Sequence, residues 1–129
     1  MREILFKAKR TDNGEWIEGY YFKTYGCRNG VRNDCHIIHE YEEDENYQIE
    51  IETLCQYTGL TDMNGNKIWE NDVVYIPYAR LEDSYCRVVF KFGQFIGELA
   101  DTTYDSIQNR RAEVIGNIFD NSELLGGGE

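Results

Sequence analysis

Positive charge is scarce in this sequence. Thirteen Lys and Arg stand against 24 Asp and Glu, which leaves a net charge of −11 over 129 residues. A field of that sign repels phosphate backbones, so non-specific binding of DNA or RNA is not expected. Its plain consequence is solubility, and its sharper one is attraction to a basic partner, such as a nucleic-acid-binding protein. Long apolar runs are missing too. None approaches the roughly 20 residues of a membrane-spanning helix, and no membrane association is expected. The opening Met1-Arg2-Glu3-Ile4-Leu5-Phe6-Lys7 lacks the apolar core and small-residue cleavage site of a leader peptide. The expectation is a cytoplasmic protein whose thiols stay reduced.

The four cysteines, Cys27, Cys35, Cys55 and Cys86, include no Cys-x-x-Cys pair and outline no disulfide framework. They read as reduced, partly buried thiols. Cys27, Cys35, His36 and His39 are residue types that zinc uses. However, Cys35 and His36 are adjacent, and neighbours on a strand point to opposite faces. The short loop between paired ligands is also absent. The sequence therefore assigns no metal site, no cofactor site and no catalytic residue. Glu70 and Asp72 could form an acid–base pair only with help, and no partner His, Lys or phosphate-cradling Gly loop accompanies them.

What is present points to strands. Aromatics make up 14% of the chain, with ten Tyr, two Trp and six Phe, and such residues favour half-buried pleated surfaces. Residues 2–9 alternate, with Ile4, Phe6 and Ala8 on one side. Asn13-Gly14 supplies a turn, and Trp16 to Phe22 reads as the return strand of a hairpin. Thr24 to Asp34, rich in Gly, Asn and Arg, reads as a loop. A short strand is expected over 35–39. The acidic run Glu40 to Glu45 reads as a solvated loop. Tyr47, Ile49 and Ile51 alternate with Gln48, Glu50 and Glu52, the cleanest half-buried strand in the chain. Another extended piece is expected over Leu54 to Tyr57.

Asp62-Met63-Asn64-Gly65-Asn66-Lys67 resembles a calcium loop superficially, but its Gly comes two places too early. A hairpin turn with Gly65 at positive φ is the expectation. Glu70-Asn71-Asp72 turns into the strand Val73 to Ile76, which Pro77 ends. A charged loop over Tyr78 to Ser84 follows. Cys86, Val88, Phe90 and Phe92 then share one strand face, Gly93 turns, and Phe95 to Leu99 returns. Residues 101–110 read as a loop or one helical turn, Ala112 to Phe119 as the final strand, Ser122 to Leu125 as a helical start, and 126–129 as a flexible tail. Val73, Val88, Phe90, Val114 and Ile118 are the expected core of the C-terminal half. The whole reads as a mainly β fold with a small barrel: a strand-rich region over 1–55, a β-barrel over 56–125, and the tail.

Two stretches resemble the YopX family of small phage and prophage proteins. The first runs Gln56-Tyr57-Thr58-Gly59-Leu60-Thr61-Asp62, then Asn64-Gly65, then Ile68-Trp69-Glu70-Asn71-Asp72-Val73-Val74. The second is Val114-Ile115-Gly116-Asn117-Ile118-Phe119-Asp120-Asn121-Ser122-Glu123-Leu124-Leu125. Phe6 to Lys9 and Trp16 to Gly19 match more weakly, in the same order. Asn71 stands where the family usually has Gly, and Ser122 where it usually has Pro. Asn tolerates the left-handed conformation a Gly would supply, and Ser can cap a short helix. The resemblance implies a phage-encoded accessory protein in a bacterial host, with an SH3-like barrel in its C-terminal half and no catalytic residues to carry over.

Together these readings lead to a non-enzymatic module that binds proteins or assembles with itself. Ile4, Leu5, Phe6, Trp16, Ile17, Tyr20, Tyr21 and Phe22 lie on both faces of the first hairpin, an apolar surplus that a homo-oligomer would cover. The alternatives are an acidic inhibitor or mimic docking on a basic nucleic-acid-binding host protein, and an unrecognised enzyme. The charge balance carries a direct test: a gel-shift assay at physiological salt should detect no appreciable binding to random duplex DNA, and tight, salt-sensitive retardation would contradict it.

Overall fold

Alternating apolar and polar positions separated by Gly- and Asn-containing turns favour paired strands, and such pairing dominates the structure. A computed structural model of the chain describes residues 4–28, 31–76, 84–99, 104–105, 107 and 112–121. The chain divides into two compact units, Met1–Gln56 and Tyr57–Glu129.

In the first unit the strands are β1 (Phe6–Lys9), β2 (Trp16–Arg28), β3 (Val31–Glu40) and β4 (Glu45–Gln48). A single 3₁₀ turn, Ile51–Thr53, precedes β5 (Cys55–Thr61). All pair antiparallel. β2 ladders with β1 from Phe6↔Gly19 to Lys9↔Trp16 and with β3 from Tyr20↔His39 to Arg28↔Val31. β4 pairs with β3, and the first residues of β5 pair with β1. The core is Ala8, Ile38 and Ile49, with Phe6, Ile17, Tyr21 and Leu54 packed against it.

The chain passes into the second unit inside β5, whose later residues pair with β6 (Lys67–Trp69). β7 (Asp72–Ile76), β8 (Ser84–Lys91), β9 (Gln94–Glu98), β10 (Tyr104–Asp105) and β11 (Glu113–Asn117) form a five-stranded antiparallel sheet. Its order is β10-β9-β8-β7-β11, and among the described residues it is an open sheet that does not close into the expected barrel. The core of this unit is Ile68, Val74, Ile76, Cys86, Val88, Ile107 and Ala112, with Leu60, Phe95, Leu99 and Val114 at its margin.

Several expectations are corrected. Thr24 to Asp34 is not a loop: Thr24↔Cys35, Tyr25↔Asp34 and the pairs beyond continue the β2–β3 ladder as a long two-stranded ribbon. Backbone pairing alone builds it, and Thr24, Tyr25 and Asp34, among its described side chains, are exposed, so the stretch shows no apolar alternation. The strand read through Ile51 stops at Gln48; Ile49 bridges Arg10, and Ile51 begins the 3₁₀ turn. The acidic run closes a tight β3–β4 hairpin in which the Glu40 carboxylate accepts the Glu42 and Glu43 amides at 2.9 and 2.7 Å.

Of the expected core, Val73 and Val88 are fully buried, Val114 and Ile118 are half-buried, and Phe90 is 53% exposed. Phe90 does share the face of Cys86 and Val88, but β8 outruns the core there. Its ring meets that of its cross-strand partner Phe95, edge-on at 4.9 Å. The last strand ends at Asn117, so Ile118 and Phe119 belong to a turn. The helical start at Ser122, the tail, Pro77, the loop after it and most of 101–110 lie outside the described residues.

Both Asn-Gly turns are wider than the two-residue type. Only the glycines take positive φ, 74° at Gly14 and 84° at Gly65, and an Asn or Asp side chain closes each loop. Burial should separate two truncations in denaturant titrations. Ile76→Ala, in the core, should cost about 2–5 kcal/mol, and Phe90→Ala less than about 1.5 kcal/mol. Equal costs would show that Phe90 is buried.

Candidate functional site

The residues that define the two motifs are the natural place to look for chemistry, and the structure commits their polar groups to the backbone. Asp62 opens the 62–66 turn. Its Oδ1 accepts the amides of Asn64 and Asn66 at 2.9 and 2.8 Å, and its Oδ2 accepts the Val114 amide at 3.0 Å. Met63 adds a backbone bond to the Ala112 carbonyl. Burial alone would push the Asp62 carboxyl up, but the amides of Val114, Asn66 and Asn64, with the Asn66 side chain, outweigh it. They hold Asp62 below the ordinary carboxylate range. A carboxylate so occupied is a weaker base than a free one.

The same pattern recurs nearby. The Thr58 hydroxyl donates to the Ile68 carbonyl at 2.7 Å and accepts the Leu60 amide at 3.1 Å. The Asp72 Oδ2, buried, accepts the Trp69 amide at 2.8 Å. Asn71 takes φ of 73°, the left-handed conformation anticipated for it, and its side-chain oxygen accepts two N–H groups of Arg87. Glu70 and Asp72 therefore flank a structural turn. In the closing motif, the Asn117 side-chain oxygen accepts the amides of Phe119 and Asp120, both at 2.9 Å.

Of the cysteine and histidine set, Cys35, His36 and His39 do not converge. Cys35 and His36 are neighbours on β3 and face opposite ways. His36 Nδ1 lies 2.7 Å from the Tyr21 hydroxyl, whereas His39 bonds the Asn46 side chain and lies 3.2 Å from Asp44. The Cys27 side chain lies outside the described residues. Among the described residues, no three His, Cys, Asp or Glu side chains converge as metal ligands.

What sequence reasoning missed is a cleft of about 310 Å³ lined by Trp16, Ile17, Glu18, Glu40, Tyr41 and Glu42. It lies in the first unit, between the start of β2 and the β3–β4 turn. The acidic run and the aromatic hairpin were both noted, but only the ribbon brings them together.

The class so defined is a small, mainly β protein of two antiparallel sheets, in which the described motif side chains serve turns. The chain belongs to the YopX family: the family model, described as YopX protein, matches residues 5–126. No curated protein matches. Among solved structures, the crystal structure of protein EF1440 from Enterococcus faecalis is similar over 97% of this chain and 99% of that one, with a TM-score of 0.56 and 23% identity. That likeness establishes a shared fold.

The Asp62 network generates a pH test. A group held low in the folded state stabilises fully above the ordinary carboxylate range, near pH 4, and that stability is lost as pH falls through the lowered value. Asp62→Asn should therefore be less stable than the wild type by about 1–3 kcal/mol at neutral pH. In denaturation curves the gap should narrow on acidification below about pH 4. A gap independent of pH would contradict the network.

Proposed function

We propose that this chain is a non-enzymatic accessory protein, encoded by a phage or prophage, that acts in the bacterial cytoplasm as a protein-binding and self-assembling module. The observation that carries this reading is the exposure of aromatic side chains on both faces of β2, which continues beyond β4 as a two-stranded ribbon with β3. Tyr20 and Phe22 lie on one face, 51% and 41% exposed, and Tyr25 lies on the other, 52% exposed. A two-stranded ribbon is marginal by itself and gains from a partner surface. Tyrosine offers contact area with a polar tip and is enriched at interfaces.

A second copy is a natural partner, because closed symmetric assemblies are the commonest way to cover such a surface. The net charge opposes association, but salt screens dispersed charges beyond about 8–10 Å. The occupied carboxylates of Asp62 and Asp72 support the non-enzymatic part of the reading.

Light scattering at moderate salt tests it. The wild type should have a mass that is a multiple of 15.2 kDa, and Phe22→Asp should shift it toward the monomer. A strictly monomeric wild type at high concentration would contradict self-assembly. Failure to retain any specific partner in affinity purification from the host as well would contradict the module reading altogether.

A further inference from the structure

We infer that the tip of the β8–β9 hairpin is a docking anchor, which inserts the Phe92 ring into an apolar, carboxylate-rimmed pocket of a protein partner. The inference rests on the reading of this chain as a protein-binding module.

The turn is built against the preference of its sequence. Lys91↔Gln94 closes the hairpin, so Phe92 and Gly93 are its two central residues. Both take positive φ, 55° and 77°, as the commonest two-residue hairpin turn requires. Asn or Gly fills the first of these positions at little cost, whereas a bulky side chain there is strained. Elsewhere among the described residues, positive φ falls to glycines, Asp44 and Asn71. The Phe92 ring gives the fold little in return. It is 77% exposed, more than any other large apolar side chain described, and it meets the Tyr104 ring edge-on at 5.6 Å. Strain held by an exposed aromatic side chain points to a contact outside the chain.

The surroundings of the ring select the partner. Register puts Phe90 and Phe95 on one face of the sheet and Tyr104, opposite Glu98, on the other. Rings therefore flank Phe92 on both faces, and a concave pocket can enclose such a knob from both sides. A buried aromatic anchor of this kind carries much of the energy of a protein interface. Charge sets the rim of the pocket. Residues 90–95 contain one charge, Lys91, in a chain of net −11. Its ammonium donates to the Tyr104 hydroxyl at 3.1 Å, a bond that raises its pKa above the ordinary lysine value and keeps it a cation. A carboxylate at the rim would meet Lys91 within the screening length of about 8 Å. An anionic lipid surface is extended and would face the acidic chain as a whole.

An NMR titration of ¹⁵N-labelled protein with carboxymethyl-β-cyclodextrin, an apolar cavity rimmed by carboxylates, tests the anchor. Saturable shifts should be confined to the amides of Phe90 to Phe95 and Tyr104. Phe92→Asn should weaken the affinity at least about tenfold, and Lys91→Gln roughly two- to fivefold. Against uncharged hydroxypropyl-β-cyclodextrin, Lys91→Gln should have no effect. Phe92→Asn should also raise the thermal midpoint by roughly 2–6 °C, because Asn accepts the left-handed conformation. Equal shifts at Tyr20 and Tyr85, unchanged affinity of Phe92→Asn, or a lowered midpoint would each overturn the proposal. An oligomeric mass or co-sedimentation with phospholipid vesicles that Phe92→Asn abolishes would overturn it too, by assigning the tip to a second copy or to lipid. Such a failure alongside retention of a specific partner in affinity purification would refute the anchor while leaving the module reading intact.

Discussion

A buried carboxylate holds the motif region in shape. Asp62 receives amides from its own turn and from Val114, fifty-two residues away. Its position matters because β11 pairs irregularly with β7, with a register shift between Val114 and Gly116. A bulge interrupts the regular ladder, and a buried amide left without an acceptor costs about as much as a lost hydrogen bond. Asp62 supplies the acceptor. It thereby ties the 62–66 turn to β11, next to the cluster of Ile68, Val74, Val88 and Ala112. Apolar burial supplies the driving force for this unit, while the carboxylate fixes which turn meets which strand.

The same logic explains why a strong family motif need not announce an activity. Asp, Asn, Thr and Gly recur in it because turns need acceptors, donors and positive φ. Asp72 with the Trp69 amide, Asn71 with Arg87 and Asn117 with its own turn repeat the arrangement. Such a pattern specifies a fold, and a shared fold leaves function to the surfaces built on it. In this chain an exposed aromatic stretch of β2 and an acidic cleft belong to the first unit, in residues other than those of the two strong motifs.

Legibility in the sequence followed the physics of each segment. The 62–66 turn and the left-handed Asn71 were readable because they depend on local backbone preference. Val73 and Val88 were readable from alternation over a core. Alternation misled at Phe90 and Ile51, where it continues past the point at which a core or a partner strand ends. The ribbon over Thr24 to Asp34 was illegible because backbone pairing builds it and its sequence carries no apolar rhythm. The cleft was illegible for another reason: Trp16 and Tyr41 come together only through the point at which β3 leaves β2, and register between strands distant in sequence is not written in either strand alone.

Amide hydrogen exchange measured by NMR tests most directly whether the motif acids are structural. If Asp62 and Asp72 hold the backbone as described, the amides of Asn64, Asn66, Val114 and Trp69 will be protected in the wild type, and Asp62→Ala will release the first three while leaving Trp69 protected. Free exchange of these amides in a folded wild-type protein would mean that the carboxylates are not so engaged, and would reopen the motif as a site of chemistry.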